Sequence, residues 1–167
     1  MKFYKKRIAK FLYLITMALL GLSGYLRIAS AEFVKVVDGD SLEIGARRVR
    51  LLEIDAPEFK QYCFTATGQK YDCGIESLKY LKKMLKDANF KVDCQSQRMD
   101  RYKRELAVCY AGEKNLNLEM LKAGWAVTYL TDQEDFLNAE KEAKKHKRGI
   151  WQGKFMRPEY YRRLNRR

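Results

Sequence analysis

Residues 33–58 read F-V-K-V-V-D-G-D-S-L-E-I-G-A-R-R-V-R-L-L-E-I-D-A-P-E, and the rest of the chain is best placed outward from them. Segment 33–37 alternates apolar and polar like a half-buried strand. Asp38-Gly39-Asp40 is a turn signal, 41–44 resumes the strand, Gly45 marks a second turn and 47–54 predicts a longer strand. Pro57 forbids simple continuation, so the chain leaves the sheet near Asp55. Residues 59–73 read as a polar, Gly-containing loop.

Downstream the period changes. Ile75, Leu78, Leu81 and Leu85 share one helical face, and 89–94 and 105–110 return to strand. A short helix is predicted over 116–123, with Asn115 or Asn117 as its cap and Gly124 as its stop, followed by a short strand at 125–129. A last helix spans about 133–147 and ends at Gly149. Short strands interrupted by a helix after the third predict an α+β fold, a five-stranded Greek-key barrel of the oligonucleotide-binding type with three packed α-helices.

The N-terminus carries a different message. Residues 1–10 are basic, 11–26 carry no charge, and Ala29-Ser30-Ala31 offers a small-residue cleavage site. This predicts a signal peptide over 1–31, cleaved after Ala31, and a secreted or periplasmic protein. The alternative is an uncleaved N-terminal membrane anchor, but sixteen uncharged residues fall short of the roughly 20 that a spanning helix needs. The remaining expected organisation is a domain over 32–155 and a short basic C-terminal tail over 156–167. Six of the 34 Lys and Arg residues precede Ala31, so residues 32–167 hold 28 basic and 21 acidic residues, net +7. That balance favours a polyanion such as nucleic acid, or an anionic surface.

Composition excludes several chemistries. A hydrophobic fraction of 47% with two prolines argues against disorder. The one histidine, His146, rules out paired-His metal sites, and its place in the run K-K-H-K-R suits a solvated face better than a buried base. The four cysteines form no C-x-x-C pair, so a zinc ribbon is not expected. A hairpin centred on M-D-R-Y-K-R would set Cys94 opposite Cys109, leaving Cys63–Cys73 to close a short loop. The other reading is four reduced, buried thiols.

Chemistry-bearing residues gather in two windows, Asp38 to Glu58 and Asp100 to Arg104. Asp38, Asp40, Asp55 and Glu58 without histidine or thiolate describe a hard oxygen site, suited to Ca²⁺ or Mg²⁺. Arg50 and Arg104 add fixed positive charge in the fork geometry that fits phosphate oxygens. A hard cation, two arginines and a spare carboxylate are the parts for cleaving a phosphodiester. One geometric condition attaches. Arg50 and Asp55 are an odd number of residues apart, so they share a site only if the strand bends, bulges or ends between them.

The sequence resembles the staphylococcal nuclease family, the thermonucleases or micrococcal nucleases, over about 33–152. The anchors are V-V-D-G-D-S at 36–41, V-R-L-L-E-I-D-A-P-E at 49–58 and M-D-R-Y-K-R at 99–104, with N-L-N-L-E-M-L-K-A-G-W-A at 115–126 and R-G-I-W at 148–151. The resemblance implies a Ca²⁺-dependent endonuclease acting on DNA and RNA, cutting the bond to the 5′-oxygen and leaving 3′-phosphates. It implies Asp40, Asp55 and the Ala56 backbone carbonyl as calcium ligands, with Asp38 as an acidic neighbour of the metal. Arg50 and Arg104 match the catalytic arginines, Glu58 the general base or water-orienting carboxylate, and Tyr102 a tyrosine beside the nucleotide. Three departures stand out, one of them the Cys-bearing loop after Glu58, which differs from the type member's mobile lysine-rich loop. Ala56 replaces a usual Thr, and Lys103 occupies a common Gly position in the D-x-Y-G-R turn. No obligate protein partner is expected, and a monomer is. The competing readings are a barrel that binds nucleic acid without cutting it, and an envelope protein whose basic tail meets anionic lipid.

Overall fold

The structure is a computed structural model and describes residues 32–165. The expected export signal and its cleavage site lie outside the described residues. A curled sheet is built from β1 (Val34–Asp38), β2 (Ser41–Ile44), β3 (Arg47–Leu51), β7 (Asp93–Met99) and β8 (Glu105–Ala111), in the order β1-β2-β3-β8-β7. All neighbours are antiparallel except β3 and β8, which run parallel. This is the α+β, five-stranded oligonucleotide-binding arrangement expected. Short ladders sit around it. β4 (Ile54–Asp55) pairs with β10 (Val127–Thr128), β5 (Cys63–Thr65) pairs with β6 (Lys70–Tyr71) and β11 (Gly153–Lys154), and β9 (Lys114–Asn115) joins β8.

Three helices match expectation: α1 (Cys73–Asp87), α2 (Leu116–Lys122) and α3 (Glu134–Lys145). A fourth, α4 (Pro158–Leu164), lies in the segment read as a basic tail, with Pro158 at its first position. The cap of α2 is Asn115, whose side chain accepts the Leu118 N–H.

Some boundaries differ for local reasons. The buried stripe of α1 runs through Cys73, Gly74, Ser77, Leu81, Met84 and Leu85 rather than Ile75 and Leu78. Gly39 lies against this face. A Cβ there would lie 2.0 Å from Ser77 Oγ, so the D-G-D turn and α1 meet at a bare backbone. β7 starts at Asp93, not 89, because Asn89 and Phe90 take left-handed φ of 51° and 56° and finish α1. The polar loop over 59–73 contains the β5–β6 hairpin.

The main core lies between the sheet and α1–α3, around Leu42, Val49, Leu51, Leu81, Leu116 and Phe136. Both expected disulfides are formed. Cys94 and Cys109 are register partners on β7 and β8, and Cys63–Cys73 ties β5 to the start of α1. Among the described residues no helix is long and apolar enough to cross a membrane.

Candidate active site

The Arg50–Asp55 condition is met by a break in the strand. β3 ends at Leu51, and Leu52-Glu53 form a turn before β4. Glu53 takes a left-handed φ of 63°, and its carboxylate accepts from Thr131 Oγ1 and Gln133 Nε2. Fully buried Asn117 holds the inner side. Its amide donates to Leu52 O and Ala107 O, and its Oδ1 accepts from the Cys109 N–H. The single strand expected over 47–54 is therefore two strands. The break occurs at Glu53, ahead of Pro57.

The turn brings Asp55 back to Arg50. Arg50 donates from Nη1 to Asp40 Oδ1 and from Nη2 to Asp55 Oδ1, both at 2.8 Å. Asp40 Oδ2 accepts the Ala56 N–H at 2.9 Å, and Ser41 Oγ donates to its Oδ1 at 3.0 Å. Asp38 accepts the Asp40 N–H, which fixes the turn that carries Asp40. Asp40 and Asp55 are 2% and 1% exposed. Burial pushes the Asp40 carboxyl up to about 6, against the pull of Arg50.

Glu58 stands on a loop organised by a residue the sequence did not flag. Gln61 is fully buried. Its Oε1 accepts the Glu58 N–H, its backbone N–H donates to Glu58 O, and its Nε2 donates to Met156 O at 2.7 Å. Gly74 packs beneath, where a Cβ would lie 1.9 Å from Glu58 O.

Arg104 comes from the β7–β8 loop. Asp100 accepts from its Nε at 2.9 Å and its Nη2 at 2.8 Å, and also from the backbone N–H groups of Tyr102 and Arg104. Lys103 has φ 59°, the left-handed conformation a glycine takes freely. Tyr102 is exposed, with the Arg101 and Arg104 guanidinium groups 5.1 and 5.6 Å from its ring centre. A cavity of about 980 Å³ is lined by Asp38, Arg50, Glu58, Tyr102 and Arg104, among others. Asp40 and Asp55 are buried behind Arg50.

Every site residue expected from the sequence thus sits at or just behind one cavity, although Arg104 is ion-paired to Asp100 rather than to the Asp40–Asp55 pair. Arg162 of α4 joins it unannounced, donating to both Asp55 oxygens and to Glu58 Oε1. Gln61, Gly74 and Asn117 were likewise unmarked as site residues, and Asp100 opened the 100–104 window without a role of its own. Only the spacing of Asp100 from Arg104, on a turn, could have singled one of them out.

The family model of staphylococcal nuclease homologues matches residues 48–153, which carry most of this site. The chain belongs to this family. An uncharacterized endonuclease of Haemophilus influenzae is 36% identical over 129 residues, 73% of this chain and 66% of its own length. The succinoglycan biosynthesis protein ExoI of Rhizobium meliloti is 36% identical over 118 residues, 70% of this chain and 61% of its own. Endonuclease YhcR of Bacillus subtilis is 32% identical over 132 residues, 70% of this chain but 11% of its own length. The chain therefore spans less than two thirds of each of these relatives.

The calcium expected from the resemblance can be tested against this geometry. Among the described residues no three His, Cys, Asp or Glu side chains lie close enough together to form a ready cage. The donor chemistry nonetheless fits a hard cation. The available groups are carboxylate and carbonyl oxygens, without nitrogen or sulfur, and the buried acids already draw positive charge from two arginines.

Proposed function

We propose that the chain is an exported, calcium-dependent nuclease that hydrolyses phosphodiester bonds of DNA and RNA. The observation that carries this reading is the buried Asp40–Arg50–Asp55 cluster, placed beside Glu58 on a cavity that Arg104 also lines. Membership of the staphylococcal nuclease homologue family supports it, as do two relatives named endonucleases. The two disulfides support export to an oxidising compartment.

Asp40, Asp55 and the Ala56 carbonyl would hold the calcium, which when bound supplies positive charge beside the phosphate oxygens. Arg50 and Arg104 donate to those oxygens, where charge grows as the phosphorus is attacked. Glu58 orients a water and takes its proton as the water oxygen bonds to phosphorus. The bond to the 5′-oxygen breaks, the 5′-oxygen leaves as an alcohol with a proton taken from solvent, and the phosphate stays on the 3′ side. Tyr102, exposed on the cavity rim, offers a face for a base or sugar.

The test is release of acid-soluble nucleotides from DNA and RNA by the oxidised protein in calcium, in magnesium and in chelator. Release that needs calcium is expected. Binding without cleavage in every condition would replace this reading with the non-catalytic barrel.

A further inference from the structure

Arg162 has no part in the mechanism above, yet it makes a dense set of contacts with that mechanism's groups. It projects from α4, beyond the residues 48–153 that define the family match. Nη1 donates to Asp55 Oδ1 at 2.7 Å and to Glu58 Oε1 at 2.8 Å, and Nη2 donates to Asp55 Oδ2 at 3.0 Å. Asp55 Oδ1 also accepts from Arg50, so both oxygens of this buried acid are engaged by guanidinium groups.

The segment that delivers Arg162 is anchored on both sides of the site. Pro158 is buried, the Gln61 amide holds Met156 O, Tyr161 Oη donates to Lys60 O at 3.0 Å, and Arg157 donates to Thr128 O at 3.0 Å. Gln61 and Lys60 belong to the loop that carries Glu58, so the anchor and the catalytic loop are one packed unit.

The charges give the arrangement its meaning. Asp40, Asp55 and Glu58 are three negative groups, and Arg50 and Arg162 are the two positive groups paired with them. With Arg162 withdrawn, two negative charges stand unmatched, which is what a divalent cation supplies. Arg162 and that cation would use the same Asp55 oxygens, and two like charges repel at that range.

We propose that Arg162 is a tethered counter-cation. It closes the site by occupying Asp55 and Glu58, and calcium binding and its withdrawal are coupled. This rests on the calcium-dependent reading above. In the closed state both Asp55 oxygens and one Glu58 oxygen accept from guanidinium groups, so a metal at Asp55 competes with Arg162. The latch therefore engages the proposed ligand and the proposed base together.

The experiment titrates calcium chloride by calorimetry into the full, oxidised chain, as wild type, Arg162→Gln and Arg101→Gln. Arg101 lines the same cavity without pairing to Asp55, so its variant removes the same charge but leaves the latch. Arg162→Gln is expected to bind calcium about tenfold more tightly, within the usual range of coupling between two linked events. Arg101→Gln should stay within about twofold of wild type, because an exposed charge is screened by salt. Coupling is reciprocal, so calcium should also speed amide exchange over residues 158–164 of the wild type.

Unchanged or weaker calcium affinity in Arg162→Gln overturns the latch and leaves the nuclease reading standing. So does equal tightening in Arg101→Gln, or tail exchange indifferent to calcium. Absence of calcium binding in all three proteins overturns the latch together with the calcium dependence, and nucleotide release in chelator would show that second failure separately.

Discussion

Arg104 is bound to Asp100 through both its backbone and its side chain, since the one carboxylate accepts the Arg104 N–H at 3.0 Å and its Nε at 2.9 Å. A tight turn closes between them, with the Lys103 N–H on Asp100 O and the Asp100 N–H on Arg104 O. Asp100 thus shapes the loop and aims its arginine.

Replacing Asp100 with Asn should lower turnover about tenfold to a hundredfold, the usual cost of a slightly misplaced catalytic group. Burial acts against the Asp100 charge. The Arg104 and Tyr102 N–H groups and the Arg104 guanidinium outweigh it and hold the carboxyl below its usual range. A depressed folded value means the stabilisation is complete above the unfolded value near 3.9 and is lost as pH falls through the folded one. Urea unfolding at pH 3 and pH 6 should therefore show a smaller difference in Asp100→Asn than in wild type. An equal difference would remove Asp100 from the account.

Lys103 sits in the left-handed region at φ 59°, where a side chain costs about 1–2 kcal/mol. Glycine gives back part of that gain through a freer unfolded chain, about 0.4–1 kcal/mol. Lys103→Gly should stabilise the protein by up to about 1 kcal/mol in denaturant melts and retain turnover. Loss of stability would mean that the Lys103 side chain holds the loop in some other way.

Arg50 and Glu58 should separate stability from catalysis. Arg50 lies between two buried acids, so Arg50→Ala in chelator should cost about 3–5 kcal/mol, the penalty for leaving buried charge unpaired. Glu58 is about a third exposed, and Glu58→Gln should change stability by no more than about 1 kcal/mol. Its turnover should fall by about 10²- to 10⁴-fold, as expected on losing a general base. Full activity in Glu58→Gln would end its assignment as base.

Gly74 should be nearly as sensitive as a catalytic residue. An added Cβ would meet Glu58 O at 1.9 Å and Phe59 O at 2.9 Å, so the Glu58 loop must move. Gly74→Ala should cost about 1–3 kcal/mol by overpacking and reduce turnover with it. Thermal melts and the nucleotide-release assay would show both, and wild-type values in either would mean that the loop yields freely.

Much of the fold was legible because its signals are local. The V-V-D-G-D-S turn, the alternating strands, the helical period of α1 and a cap at Asn115 or Asn117 each depend on a few neighbouring side chains. The Cys94–Cys109 pairing followed from a hairpin whose register is set by its own turn. The limits of the elements were less legible where the backbone turns left-handed without glycine. Glu53, Asn89, Phe90 and Lys103 all do so, and Glu53 is held there in part by Thr131 and Gln133, far along the chain. The candidate residues Asp40, Arg50, Asp55 and Glu58 were legible because their types and spacing describe a chemistry.

The amino-acid order alone determined the five main strands, three of the helices and which acids and arginines are candidates for the chemistry. Only the tertiary structure decided how those residues face one another. Asn117 bends the strand so that Arg50 meets Asp55, Gln61 and Gly74 seat the Glu58 loop, and α4 returns Arg162 to the buried Asp55, 107 residues away. Such contacts depend on close packing and charge pairing between distant segments, and those forces act only once the chain has closed on itself.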